Sequence, residues 1–246
     1  MTLPLDQQTI IVTGAGQGLG AAIARRFAAG GAKLALMDHD PVSLAETTRA
    51  CGASAMGIEV DLSDRVATNA AIAKTFGQLG RVHTLIHNAA ILRPTPFADE
   101  DFDSFFRTVN VGLQAGFQLA RAVWPGMLDN GGGALVFVSS RSGIEGFADE
   151  SAYCAAKHAL EGLSKSLALE GAPFGITANT ITPGMYMRTP MSARNYSDAL
   201  KQKWVDPALL TPAFVLLAEQ RLRSRNGHRL DAWALSQERD QHAAVR

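Results

Sequence analysis

The sequence predicts an α/β fold: a single Rossmann-type doubly wound parallel sheet with helices on both faces. Three observations lead there. Short apolar runs alternate with amphipathic segments from residue 9 to residue 181. The runs are continuous in apolar character, as expected when both faces of a parallel strand are covered. The first run ends in a glycine-rich turn that opens a helix, the start of a β–α–β unit.

In order, Thr9–Val12 reads as a strand and Gly18–Ala29 as a helix. Lys33–Asp38 is a second strand, Leu44–Cys51 a helix, and Met56–Val60 a third strand. Asp64–Leu79 is helical and Val82–His87 is a fourth strand. Phe102–Leu128 contains a long helix, Ala134–Ser139 a fifth strand, Ser151–Gly171 a helix, and Ile176–Ile181 a sixth strand. Beyond Pro183 the pattern loosens. Asp206–Gln220 reads as helical, with Pro212 either starting or kinking it. Arg229–Leu235 fits a last strand, and the charged tail Gln237–Arg246 is expected to fray or to lie at an interface.

No repeat or linker divides residues 1–246, which are expected to form one Rossmann-fold domain. Its nucleotide-binding half covers about 1–130, and a catalytic and substrate-lid part covers about 131–236. The 23 basic and 23 acidic residues balance, so charge gives no reason to expect nucleic acid or an anionic membrane as partner. Cys51 and Cys154 form no metal-ligand or redox spacing, no metal is expected, and a reducing cytoplasm fits. Met1–Gln8 lacks the features of a secretory signal. No apolar stretch approaches the ~20 residues a bilayer requires.

The turn Thr13–Gly20 reads TGAGQGLG. Glycines there permit close backbone approach, and the helix N-terminus offers free N–H groups to a pyrophosphate. Gly14, Gln17, Gly18, Leu19 and Gly20 are therefore candidate cofactor contacts. Asp38 ends the second strand, 18 residues after Gly20. A carboxylate there can accept bonds from adenosine ribose hydroxyls and would repel a 2′-phosphate, and Gln17 supplies no compensating cation. The expected cofactor is NAD; the plain alternative is that Asp38 caps a turn.

Tyr153 and Lys157 stand at i and i+4, on one helical face beside the apolar stripe Ala156, Leu160, Leu163 and Leu167. Alone, such a pair is an ordinary surface pair. Ser140 lies just past a strand end, 13 residues before Tyr153, and ligands gather at the carboxyl ends of parallel strands. Asn88 follows another strand end. Asn110 is a polar residue amid apolar ones in the long helix, where it could equally be a buried amide bonded to backbone.

Together these motifs resemble the classical short-chain dehydrogenase/reductase family over about residues 7–190. The glycine turn Thr13–Gly20, His87–Ala90, Asn110, Ser140, Tyr153/Lys157 and Pro183–Gly184 match its motifs in order. The resemblance implies that Tyr153 is the general acid/base and that Lys157 holds the nicotinamide ribose and lowers the tyrosine pKa. It implies that Ser140 bonds the reacting oxygen, Asn110 anchors a relay water, and Asn88 supports the cofactor-binding sheet end. Asp61 and Leu62 would meet the adenine, and Thr189, after Pro183 and Gly184, would meet the nicotinamide amide. It also implies a homodimer or homotetramer assembled through Phe102–Leu128 and Ser151–Gly171. The chain departs from the family's NNAG in having His87-Asn88-Ala89-Ala90, and its spacing from Pro183-Gly184 to Thr189 is one residue longer than the family's common spacing.

The expected reaction is NAD-dependent interconversion of a secondary alcohol and a ketone. Arg93, Arg141, Glu145, Tyr186 and Arg188 are the candidate substrate contacts. Their arginines suit a carboxylate or phosphate on the substrate, unless they are exposed loop charges, and the family's use of NAD implies oxidation of a small polar alcohol such as a polyol, sugar or hydroxy acid. The alternatives are a 3-oxoacyl thioester reductase and a catalytically silent NAD-sensing or scaffolding protein. Cys154 and His158 are read as packing and as helix surface or interface.

Overall fold

A computed structural model describes residues 3–220 and 223–243. Seven strands form one sheet in the order β3-β2-β1-β4-β5-β6-β7, every neighbouring pair parallel. They are β1 (Thr9–Thr13), β2 (Lys33–Asp38), β3 (Ala55–Glu59), β4 (Thr84–His87), β5 (Gly133–Val138), β6 (Ile176–Thr182) and β7 (Arg229–Asp231). All residues of β1, β4, β5 and β6 are buried, which explains the apolar runs at the centres of β1 and β5, while β6 also buries Thr177, Asn179, Thr180 and Thr182; edge strand β3 is half open.

Helices α1 (Gly18–Ala29) and α2 (Pro41–Cys51) pack on one face through Leu19, Ile23, Phe27 and Leu44. Helices α9 (Thr211–Ala218) and α10 (Ala232–Ala243) join them through Phe214, Leu217 and Leu235. On the other face lie α3 (Arg65–Leu79), α5 (Ala115–Asp129) and α6 (Ser151–Gly171), which contribute Ile72, Leu119, Val123 and Leu160. Asp40 and Asp64 cap α2 and α3 by accepting from Val42 and from Val66 and Ala67. Two short helices, α7 (Pro190–Asn195) and α8 (Asp198–Lys201), follow β6.

Three readings change. The long helix is α4 (Phe102–Val109), then a π-turn at Asn110–Gln114, then α5; Asn110 opens the wider turn. Pro212 occupies the first turn of α9, where its missing N–H costs nothing, so it starts that helix. The last strand ends at Asp231, whose carboxylate accepts from the Ala234 N–H and starts α10. Ala232 and Leu235, buried one turn apart, imitate strand residues in the sequence. The tail continues as helix through Ala243; residues 244–246 lie outside the described residues.

The chain crosses from one half of the sheet to the other after β3, so strand order reverses between the neighbours β1 and β4. Their carboxyl ends therefore open onto a crevice, the position where such sheets bind ligands.

Candidate active site

A cavity of about 430 Å³ occupies this crevice. Gly14, Gln17, Gly18 and Leu19 form one wall. Gly14 and Gly18 have φ of +62° and +56°, conformations that disfavour any side chain. Gln17 makes no side-chain cap, so the first-turn N–H groups of α1 remain available. A Cβ on Gly14 would come within 2.9 Å of the Ala89 backbone. Gly20 does not line the cavity; its Cβ would strike the Gly14 carbonyl at 2.0 Å, so it is a packing glycine. This bare backbone at a helix N-terminus fits a pyrophosphate.

Asp38 lines the same cavity. It accepts from the Gly16 N–H at 2.8 Å and the Asp40 N–H at 3.1 Å, and His39 lies 3.1 Å from it. It therefore does cap a turn, and that turn presents it to the cavity. Asp61 and Leu62 also line it, Asp61 held by Ser63 and by Arg107 at 2.8 Å. Arg107 went unread in the sequence: it sits on α4, and only tertiary packing brings it to β3.

Asn88 donates to the carbonyls of Thr13 and Gly14, tying the ends of β1 and β4 together. Beside it, His87 is completely buried. The Thr13 hydroxyl accepts from the Asn88 and Ala89 N–H groups and so has its one proton to give to His87 Nδ1, 3.0 Å away. That leaves Nε2 protonated to donate to the Gly112 carbonyl at 3.0 Å, inside the π-turn. Burial and the nearby Lys157 charge push the His87 pKa down to about 4, so the ring is neutral. A single imidazole thus links the glycine turn to the π-turn that carries Asn110.

Ser140, Tyr153 and Lys157 line the cavity together. Ser140 follows β5 and caps a short turn by accepting from the Ser142 N–H. Tyr153 is in the first turn of α6, and Lys157 Nζ lies 5.4 Å from its ring centre. Lys157 Nζ donates to the Val138 carbonyl at 2.6 Å. Burial lowers its pKa to about 8, while Glu161 pulls it back up. Burial also raises the Tyr153 pKa, opposed by a hydrogen bond with Ser140. Glu161, itself buried, accepts from Ser139 and Thr180 and pairs with Arg229 at 3.3 Å. Arg229 in turn donates to the Ser140 carbonyl.

Asn110 stands apart: it is not in the cavity lining, and its amide is 3.5 Å from the Ser63 carbonyl. Pro183 and Thr189 line the cavity. Thr189 caps α7 and shares its hydroxyl with Ser192. Gly184 is a packing glycine like Gly20, its Cβ position 2.1 Å from Asp231.

The expected substrate contacts are not gathered there. Only Tyr186 lines the cavity. Arg141 pairs with Glu145 at 2.9 Å and lies over Phe147, Arg188 pairs with Asp206 at 3.2 Å, and Arg93 is an exposed loop residue. Arg141 also hydrogen-bonds Tyr186 and so touches the cavity's edge without lining it. In their place stand Leu92, Met185, Met191 and Tyr196, which carry no sequence motif. Asn195 Nδ2 donates to the Leu92 carbonyl at 3.0 Å, which fastens α7 over the cavity.

A family model described as short chain dehydrogenase matches residues 8–200. A 2,5-dichloro-2,5-cyclohexadiene-1,4-diol dehydrogenase of Sphingobium indicum is 36% identical over 81% of this chain and 80% of its own. The peroxisomal hydratase-dehydrogenase-epimerase of Saccharomyces cerevisiae is 35% identical over 92% of this chain, which spans only 25% of that longer protein. Among solved structures, one described as an NAD(P)-dependent gluconate 5-dehydrogenase from Beutenbergia cavernae, with NADP at low occupancy, is 28% identical. It superposes with a TM-score of 0.84 over 92% of this chain and 96% of that one. With the parallel sheet, the glycine turn and the Ser/Tyr/Lys cluster already in one crevice, these likenesses lead to one conclusion: the chain is an oxidoreductase of the short-chain dehydrogenase family.

Proposed function

We propose that the chain is an NAD-dependent dehydrogenase that interconverts a secondary alcohol and a ketone. One observation carries this reading: Ser140, Tyr153 and Lys157 face the same cavity as the glycine turn and Asp38. When bound, NAD would supply the hydride acceptor. Gly14, Gln17, Gly18 and Leu19 would cradle its pyrophosphate, Asp38 its adenosine ribose, Asp61 and Leu62 its adenine, and Thr189 its carboxamide. Asn88 would keep the two strand ends in register beneath it, and Pro183 would bound the nicotinamide side.

Ser140 would bond the alcohol oxygen and hold it at the Tyr153 hydroxyl. Tyr153 would take the alcohol proton as the C–H bond gives up its hydride, and would return it in the reverse direction. Burial alone keeps a phenol protonated. The Lys157 ammonium, held in place by Val138 and favoured by Glu161, supplies the opposing positive field. Asn110 would hold a water that passes the proton outward.

The chain would act as one domain, since a single sheet carries both the cofactor wall and the catalytic triad. Self-association through α4, α5 and α6 is supported by Phe102 and Leu169, 81% and 79% exposed. A cytoplasmic setting accords with two free cysteines; no helix among the described residues is long and apolar enough to cross a membrane.

The test is a fluorescence titration with NAD and NADP, followed by a cofactor-reduction screen against secondary alcohols. NAD is expected to bind at least about tenfold more tightly, because Asp38 repels a 2′-phosphate. Tighter binding of NADP would end the NAD assignment.

A further inference from the structure

Behind the catalytic face lies an ion pair set back from the cavity. Glu161 is buried on α6, one turn beyond Lys157, and neither it nor Arg229 of β7 lines the cavity. The two carboxylate oxygens of Glu161 reach partners on or just past three neighbouring strands. Oε1 accepts from the hydroxyl of Ser139, which follows β5, and faces Arg229 Nε at 3.3 Å. Oε2 accepts from the Thr180 hydroxyl of β6 at 2.6 Å. Gly143 leaves the room for this: a Cβ on it would stand 2.6 Å from Ser139 Oγ and 3.2 Å from Glu161 Oε1.

Arg229 carries the anchor on to Ser140. While Nε faces Glu161, Nη2 donates to the Ser140 carbonyl at 3.1 Å. Two consecutive residues are thus held from behind, Ser139 by its hydroxyl and Ser140 by its carbonyl. Other bonds of Ser140 are local: its carbonyl accepts from the Gly143 N–H at 3.0 Å and its hydroxyl from the Ser142 N–H at 3.2 Å. These set the shape of the turn, whereas Arg229 ties the turn to β7 and α6. Burying two ions is costly, and an apolar pair of similar size often leaves a fold as stable. What the ions add is direction, because a planar guanidinium offers its donors at fixed angles to two acceptors at once.

We infer that Arg229, anchored by Glu161, is a positioning residue: it sets where Ser140 stands relative to Tyr153 without touching the substrate. A strand outside the cavity thereby governs the alignment of the reacting oxygen. This rests on the role given to Ser140 above. Because the local bonds of the turn survive its loss, removing Arg229 shifts Ser140 and does not free it.

The experiment compares the unaltered protein with Arg229→Met, Arg229→Lys and the double variant Glu161→Gln/Arg229→Met. The double variant removes both charges, so that no lone carboxylate is left buried and the fold is kept. Crystal structures should show Ser140 Oγ displaced by more than about 0.5 Å in Arg229→Met and in the double variant, beyond the tolerance of a productive site. With saturating NAD and either cyclohexanol or 2,3-butanediol, kcat should fall roughly tenfold or more, while KM and the NAD dissociation constant stay within about threefold. Arg229→Lys keeps a cation for Glu161 but cannot also reach the Ser140 carbonyl, so it should recover the melting temperature without recovering kcat. Ser140 unmoved, kcat unchanged in the folded variants, or recovery of kcat in step with melting temperature in Arg229→Lys overturns the inference. If the unaltered protein binds NAD but oxidises no secondary alcohol, the dehydrogenase reading fails, and the crystal structures alone decide whether Arg229 positions Ser140.

Discussion

The two ends of the crevice are built from different materials. The nucleotide end is backbone: glycines with positive φ, the open first turn of α1, and the ends of β1 and β4 tied by Asn88. The substrate end is side chains on connecting segments, with Leu92 after β4, Tyr186 after β6, and Met191 and Tyr196 on and beyond α7. Backbone sites depend on a strict local pattern, because only certain residues permit the conformation. A side-chain wall can be made from many residues, provided the loops bring them together.

The sharpest way to separate the two ends is to remove the chemistry that joins them. Tyr153→Phe should lose roughly a thousandfold or more in turnover, since it deletes the proton-transfer group. Its NAD dissociation constant should hold within about threefold, because the phenol hydroxyl is not part of the nucleotide wall. Turnover near normal would break the assignment of Tyr153.

Next in size is the bridge made by His87. Its ordinary pKa of 6.5 falls to about 4 in the folded chain, so the unfolded chain takes up the proton first as pH drops. The stability from keeping the ring neutral is whole above pH ~6.5 and is lost as pH falls towards 4. A shift of that size corresponds to roughly 3 kcal/mol. Urea melts at pH 7 and pH 4.5 should show the loss, and His87→Gln should flatten that part of it. If the variant keeps the full acid sensitivity, other groups account for it.

A smaller effect tests the backbone end. Gly14→Ala forces a Cβ into a left-handed conformation, at about 1–2 kcal/mol, and towards the Ala89 backbone 2.9 Å away. Cofactor binding should weaken roughly tenfold. An unaltered dissociation constant would mean that the turn does not hold the cofactor.

The smallest effect tests the other end. Asn195→Ala removes the bond to Leu92, worth about 1 kcal/mol. KM for the alcohol should rise severalfold while cofactor affinity is unmoved. Equal changes in both would show that α7 serves the two ends alike.

Legibility in the sequence follows the same division. The strands of the doubly wound sheet were readable because burial on both faces leaves mostly apolar runs. Tyr153, Lys157 and Ser140 were readable from one helical repeat and one strand end. The α10 segment was misread because Ala232 and Leu235 are spaced ambiguously between a strand and a helix. Arg141 and Arg188 were singled out by charge alone, and their pairing with Glu145 and Asp206 could not be read from the sequence.

By itself, then, the sequence determined the parallel sheet, the glycine turn and the residues placed by local geometry, because periodicity and backbone permissiveness are local properties. Only the tertiary structure decided that Arg107 meets Asp61, that His87 reaches Gly112, and that Leu92, Met191 and Tyr196 share a cavity with Tyr153. Those contacts join segments far apart in the chain, and no local pattern encodes which distant side chains will share a cavity.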